Sequence, residues 1–233
     1  MRIAVISDIH GNLEALTKAL RLIETRHIDR IVCLGDTVGY GPNPNECLDR
    51  VRDVAFASLL GNHDAAALDL SITRHFNVYA RDAAAWTARV LSPENQEYLK
   101  TLPLSLEDNG VTFVHATPKN PGEWHYIFSQ AEADLNFSSF ETPVCFVGHS
   151  HTPQIFSRNR SRGPVRRDDR NIINVGSVGQ PRDGDPSLAF GIFDTDTWTY
   201  EQVRAPYDIA AVAEKIIRAG LPRYLADRLF YGQ

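Results

Sequence analysis

Five short apolar runs in this chain each end in a polar cluster able to bind metal, and that repetition constrains the fold more than any other feature. Residues 3–6 lead into Asp8-Ile9-His10, residues 31–34 into Gly35-Asp36, and residues 54–60 into Gly61-Asn62-His63-Asp64. Residues 111–114 lead into His115, and residues 144–147 into Gly148-His149-Ser150-His151. Short apolar runs bounded by turn residues read as buried strands. Between the first two, Leu13, Leu16, Leu20 and Ile23 recur at helical spacing, with Asn12 as N-cap and Glu14 in the first turn. A second helix runs through Leu48 and Val51. The resulting β-α-β-α-β order predicts a largely parallel sheet covered by helices, whose carboxyl strand edge is where such folds bind ligands.

Beyond Asp64 the pattern is helical and Ala-rich to Leu102, interrupted at Ser92-Pro93, where Ser92 caps a new helix. Strands are then predicted over 111–114, 144–147, 154–157, 172–175, 188–193 and 197–203, and two final helices over 209–219 and 224–230. The 233 residues are read as one domain, 1–233, large enough to bury a substantial core. The C-terminal segment, about 207–230, either packs on that domain or meets another subunit. Residues 157–171 hold six Arg and two Asp and read as a solvated hairpin loop rather than a polyanion strip.

Charge and cysteines narrow the function classes. A net charge of −5 offers a nucleic-acid backbone no general attraction. No apolar stretch has the length of a membrane helix, and Asp8 ends the first run too early for a signal peptide. Cys33, Cys47 and Cys145 are odd in number and form no close pair, so free thiols in a reducing, cytoplasmic compartment are expected.

Asp8, His10, Asp36, Asn62, His115, His149 and His151 are natural metal ligands. Carboxylate, imidazole and amide donors without thiolate suit two divalent ions from Mn, Fe, Zn or Ni rather than a structural zinc knot. Ligands dispersed over several strand ends can serve two ions, with Asp36 able to bridge them. A lone Asp-x-His is commonplace, and a single buried His is more often a hydrogen-bonded core residue. The five clusters in this order are much harder to explain as packing.

The order D-x-H, GD, GNHD, H, GHSH resembles that of the calcineurin-like metallophosphoesterases, and the segment NVGSVGQPRDGD, residues 174–185, is similar to that of small bacterial members. The resemblance implies an α/β fold, a four-layer α/β/β/α sandwich with two mixed sheets and a dinuclear metal site at the strand ends. It implies Asp8, His10 and His151 on one ion, Asn62, His115 and His149 on the other, and Asp36 between them. His63 matches a family histidine that reaches the substrate phosphate or its leaving group. The implied activity is metal-dependent hydrolysis of a small phosphoester, with two cations about 3.5–4 Å apart acidifying a bridging water and clamping the phosphate for in-line attack. A phosphodiesterase or phosphatase is expected first. A nucleotide or dinucleoside polyphosphate hydrolase, a non-catalytic binding scaffold and a nuclease are the competing readings.

One stretch departs from the family's protein phosphatases. Their GDxVDRG is here GDTVGYG, so Gly39 stands where the partner of the catalytic histidine is expected and Tyr40 where a phosphate-binding Arg is. This weighs against a dedicated protein phosphatase. Arg182 then becomes the candidate phosphate contact, unless it pairs with Asp183 or Asp185. Tyr40 either lines the pocket or merely belongs to a Gly- and Pro-rich turn. Asp64 either orients His63 or a metal ligand, or caps the following helix. Trp124, His125 and Tyr126 either stack on a base or aryl group or pack beneath their loop.

Overall fold

The computed structural model describes residues 1–160 and 164–233. Its strands, in chain order, are β1 (Arg2–Ile6), β2 (Arg30–Cys33), β3 (Ala57–Ser58), β4 (Ser105–Asp108), β5 (Val111–Val114), β6 (Val144–Val147), β7 (Gln154–Ser157), β8 (Asn171–Asn174), β9 (Leu188–Asp194) and β10 (Thr199–Ala205). Its α-helices are α1 (Leu13–Glu24), α2 (Pro44–Val54), α3 (Asn62–Leu68), α4 (Val78–Val90), α5 (Pro93–Thr101), α6 (Gln130–Asp134), α7 (Ile209–Arg218) and α8 (Arg223–Asp227).

Two mixed five-stranded sheets result, ordered β10-β9-β1-β2-β3 and β4-β5-β6-β8-β7. The centre of each is parallel, β1 beside β2 and β5 beside β6 beside β8, while β4, β7, β9 and β10 pair antiparallel. The two-residue alternation of a strand decides the layering. Ile3 and Val5 of β1 face Val111, Phe113, Val144, Phe146 and Ile173 in a core between the sheets. Ala4 and Ile6 face Leu16, Ala19, Leu20 and Val51 of α1 and α2. On the far side of the second sheet, Val114, Cys145 and Phe156 meet Ala133, Phe137 and Phe140. The α/β/β/α order that the family resemblance implies is therefore present.

Local chemistry explains the element starts: Asn12 accepts from the Ala15 amide at 3.0 Å, and Ser92 from that of Asn95 at 3.2 Å. Three expectations need correction. The strand predicted over 54–60 shrinks to Ala57–Ser58, because Val54 still belongs to α2 and β3 is an edge strand held only by β2. The long helical stretch from Asp64 breaks again before α4, where Asp69 and Asn77 cap a 3₁₀ turn and a new helix. β4 and α6 are additional to the elements that the sequence pattern predicts.

The Arg-rich segment connects the antiparallel strands β7 and β8, as a hairpin loop does. Four of its arginines find local partners: Arg160 on Asp134, Arg166 on Asp168, Arg170 on Glu141 and Arg167 over the Trp198 ring. Residues 161–163 of that segment lie outside the described residues. All three cysteines are buried free thiols, and among the described residues no helix is long and apolar enough to cross a membrane.

Candidate metal centre

The seven candidate ligands converge from five strand ends onto one buried spot where the carboxyl edges of both sheets meet. Asp8, His10 and His151 form one cluster, with one ligand atom from each lying within 4.8 Å of the others, and Asp36, His115 and His149 form a second of the same kind. Asn62 joins the second cluster through Oδ1, 3.2 Å from His115 Nε2. Asp36 Oδ2 faces both, 3.3 Å from His115 Nε2 and 3.7 Å from His10 Nε2. Asp8, His10, Asp36, His149 and His151 all take positive φ, at 54°, 52°, 51°, 65° and 60°. Each side chain thus leaves a sharp bend directly after a strand.

The imidazoles are pre-oriented by backbone carbonyls. His10 Nδ1 donates to the Val38 carbonyl at 3.0 Å, His115 Nδ1 to Leu34 at 3.2 Å and His151 Nδ1 to Gln180 at 2.6 Å. Such bonds fix the tautomer and leave Nε2 as the ligand atom. His149 is turned round: its Nε2 donates to the Trp124 carbonyl at 2.9 Å, leaving Nδ1 to face the centre.

The donor set fits cations. His10 Nε2 and His151 Nε2 lie 3.1 Å apart, and burial drives both rings toward the neutral form, so two lone pairs face each other. Asp8 Oδ1 lies 3.2 Å from the same His151 nitrogen. Asp8 Oδ1 and Asp36 Oδ2 are buried and face only histidine ring nitrogens. Buried acceptors crowded together in this way need a positive charge among them.

Protonation differs between the clusters. Burial opposes a charge on His115, but the carboxylates of Asp36, Asp8 and Asp64 outweigh it and raise its pKa to about 9. Burial, reinforced by the charge on His115, lowers His149 to about 3. The surrounding histidines hold the Asp36 carboxyl well below its ordinary range despite burial.

Gly61 shows how tightly the second cluster is built. A Cβ there would stand 2.1 Å from Asp36 Oδ1, the atom that accepts the His63 amide at 2.8 Å. His63 packs its ring against His10, Tyr40 and Phe76, with centroids 5.0, 4.4 and 4.7 Å away. Its Nδ1 is buried without a partner, and burial lowers its pKa to about 4. Gly39, in the left-handed region at φ 89°, lies directly over it, since a Cβ there would come within 2.8 Å of Nδ1. The acidic partner is therefore missing in chemistry, and the ring leaves no room for a side chain at residue 39 to supply it.

Asp64 caps α3 by accepting the Gly61 amide at 3.1 Å. Its other oxygen accepts the Val38 amide at 3.0 Å, and the Val38 carbonyl in turn orients His10. Burial and the neighbouring Asp36 raise Asp64 to about 7. Arg182 does not pair with Asp183 or Asp185, both of which bind Arg204. It turns toward the centre instead, donating to the Tyr40 hydroxyl at 3.3 Å and to Gln180 Oε1 at 2.9 Å.

Several supporting groups carried no signal of their own in the sequence. The carbonyls of Leu34, Val38, Trp124 and Gln180 act through the backbone, which residue type does not encode. Asn174 donates to the Gly148 carbonyl at 2.6 Å and to Ser150 Oγ at 2.9 Å, bracing the Gly-His-Ser-His bend. Ser177 donates to the Asp8 carbonyl at 2.7 Å. Both lie in the 174–185 segment, whose work is thus to hold two ligand loops in register. Beside His149, a cleft of about 620 Å³ is lined by Thr117, Lys119, Glu123, Tyr126, Phe128 and Leu135. Tyr126 stacks on His149 with centroids 4.0 Å apart, and Phe128 stacks on Tyr126 at 5.1 Å.

A family model described as the calcineurin-like phosphoesterase superfamily domain matches residues 1–198. A crystal structure of a metallophosphoesterase from Sphaerobacter thermophilus superposes with a TM-score of 0.89 at 40% identity, covering 100% of both chains. An uncharacterized protein of Methanocaldococcus jannaschii is 44% identical, covering 99% of this chain and 98% of its own. The phosphodiesterase YfcE of Escherichia coli is 25% identical over 91% of this chain and 98% of its own length.

Proposed function

Because the chain belongs to the calcineurin-like phosphoesterase superfamily, we propose that it is a dinuclear metal-dependent phosphodiesterase acting on small phosphoesters. The observation that carries this reading is the pair of buried His/Asp clusters with Asp36 Oδ2 facing both. Asp8, His10 and His151 would hold one ion, Asn62, His115 and His149 the other, and Asp36 would join them. Two divalent ions bound there supply Lewis acidity toward phosphate oxygens and acidify a water for attack.

The chain's own residues supply orientation and proton handling. Carbonyl-anchored imidazoles keep the ligands in place before substrate arrives, so little reorganisation accompanies the reaction. His63 sits one ring away from His10 and meets the leaving oxygen as a hydrogen-bond donor, where it stabilises the developing negative charge. Without a carboxylate at residue 39, only Asp36 favours His63 as an imidazolium, and burial outweighs it. Its role is then donation from a neutral ring, which suits diesters with stable leaving groups. Arg182 and Tyr40 form the wall of the site that meets the substrate's anionic portion. The cleft headed by Tyr126 and Phe128 receives the organic group. The reaction belongs in the cytoplasm, where Cys33, Cys47 and Cys145 stay reduced.

Metal content per chain, followed by hydrolysis of bis-p-nitrophenyl phosphate against p-nitrophenyl phosphate with Mn²⁺, tests the reading. Two ions per chain and faster diester turnover are expected. Absence of bound metal together with no turnover under any divalent cation would remove it.

A further inference from the structure

Tyr40 is 6% exposed and its ring touches both sides of the reaction site, with centroids 4.7 Å from His10 and 4.4 Å from His63. Two guanidinium groups gather round that one ring: Arg182 at 5.7 Å and Arg228 at 5.9 Å from its centroid. Arg182 donates to the Tyr40 oxygen at 3.3 Å, which leaves the phenolic hydrogen without an acceptor among the described residues. Arg182 Nε is buried and has no partner.

Arg182 pairs with no carboxylate among the described residues, and Arg228 with no Asp or Glu side chain among them. Asp183 and Asp185 bind Arg204, and Asp227 binds Arg223. Arg228 donates from Nε to the Gln233 backbone oxygen and rests against the Tyr224 ring at 5.4 Å. Burial and the charge on Arg182 both disfavour its own charge. Two partly desolvated like charges beside one phenol are costly unless an anion lies between them.

Arg228 arrives from a region the family match does not reach, since that match ends at residue 198. Val212, Ile216, Leu225 and Leu229 pack with Tyr40, Ala80 and Ala83 in one core, so the C-terminal helices are fixed against the site. The Gly232 carbonyl accepts the Gly184 amide at 3.0 Å, tying the chain just beyond Arg228 to the loop just beyond Arg182. The two cations are therefore held in register by design of the fold rather than by chance of two side-chain rotamers.

We infer that Arg182, Tyr40 and Arg228 bind a second phosphoryl group of the substrate, adjacent to the one hydrolysed at the metal centre, an inference that rests on the phosphoesterase reading above. Two guanidinium forks and a phenolic donor match a dianionic group with three acceptor oxygens better than a singly charged carboxylate. The substrate class is accordingly a phosphoester bearing a neighbouring phosphoryl group, such as a nucleoside diphosphate.

Calorimetric titration of the Mn²⁺-loaded protein with AMP and with the α,β-methylene analogue of ADP isolates that group. The wild type is expected to bind the diphosphate at least about tenfold more tightly, the effect of one hydrogen bond between charged partners. Arg228→Gln should bring the ratio close to one, and Arg228→Lys, which keeps charge but not the fork, should lie between. A wild-type ratio near one overturns the inference, and so does Arg228→Gln weakening both ligands equally. Should Arg228→Gln fail to fold by circular dichroism, the wild-type ratio and Arg228→Lys still decide. Binding is read whether or not the centre turns over. A protein that prefers the diphosphate but hydrolyses nothing keeps the subsite and loses the hydrolase reading. One that hydrolyses diesters and binds both ligands equally does the reverse.

Discussion

Each half of the centre has one Asp and two His at its heart, and yet the two are prepared differently for a cation. In the Asp8–His10–His151 half, burial keeps both rings neutral, with Nε2 lone pairs turned inward. In the Asp36–His115–His149 half, carboxylates raise His115 to about 9, so a proton on that ring faces Asp36 and Asn62. An ion entering the first half displaces nothing, whereas one entering the second displaces a proton. Identity of ligands does not make two sites equivalent; the charge already around them decides.

Asp36→Asn attacks what the halves share. Both ions should weaken, and turnover should fall by roughly 10⁴-fold or more, read as metal stoichiometry and kcat together. Retention of two tightly held ions would show that Asp36 does not join the halves. His63→Ala, by contrast, should keep both ions and lose roughly 10²–10⁴-fold in kcat. Full activity toward every diester tried would remove His63 from the reaction.

Acidity separates the halves directly. A histidine whose pKa is raised on folding stabilises the metal-free fold below its unfolded value of about 6.5, and that contribution fades as pH rises through about 9. Metal affinity runs the other way: the second half should gain about tenfold per pH unit up to about 9 and then level off. The first half should change much less over the same range. Metal titrations at three pH values check this, and equal slopes for both ions would erase the distinction. The smallest effect is expected for Asn174→Ala, which removes the brace beneath His149 and His151. Metal affinity should drop by roughly tenfold or somewhat more, and stability by about 1 kcal/mol in thermal unfolding.

The strand ends that carry Asp8, Asp36, His115, His149 and His151 were legible because each follows a buried run, and buried parallel strands announce themselves by unbroken apolar sequence. β5, β6 and β7 begin and end where the sequence placed them. β4 was not legible: Ser-Leu-Glu-Asp has one apolar residue on a half-exposed edge and no pattern to read. The rings of His10, His115, His149 and His151 are aimed by carbonyls, which every residue possesses, so the aiming is invisible until the chain is folded. Arg228 was missed for a related reason. On a terminal amphipathic segment it resembles any solvent-facing arginine, and only the packing of that segment beside Tyr40 gives it a place.

The left-handed bends at Asp8, His10, Asp36, His149 and His151 have a consequence for anyone wishing to give this scaffold a new chemistry. Outside glycine, that backbone region is enriched in Asn, Asp and His and is costly for β-branched residues. The same short alphabet that binds hard and borderline cations is also the one that tolerates the bend. Val, Ile or Thr at any of these five positions would cost about 1–3 kcal/mol each, so repertoires that include them would be thinned by instability before selection for a catalyst.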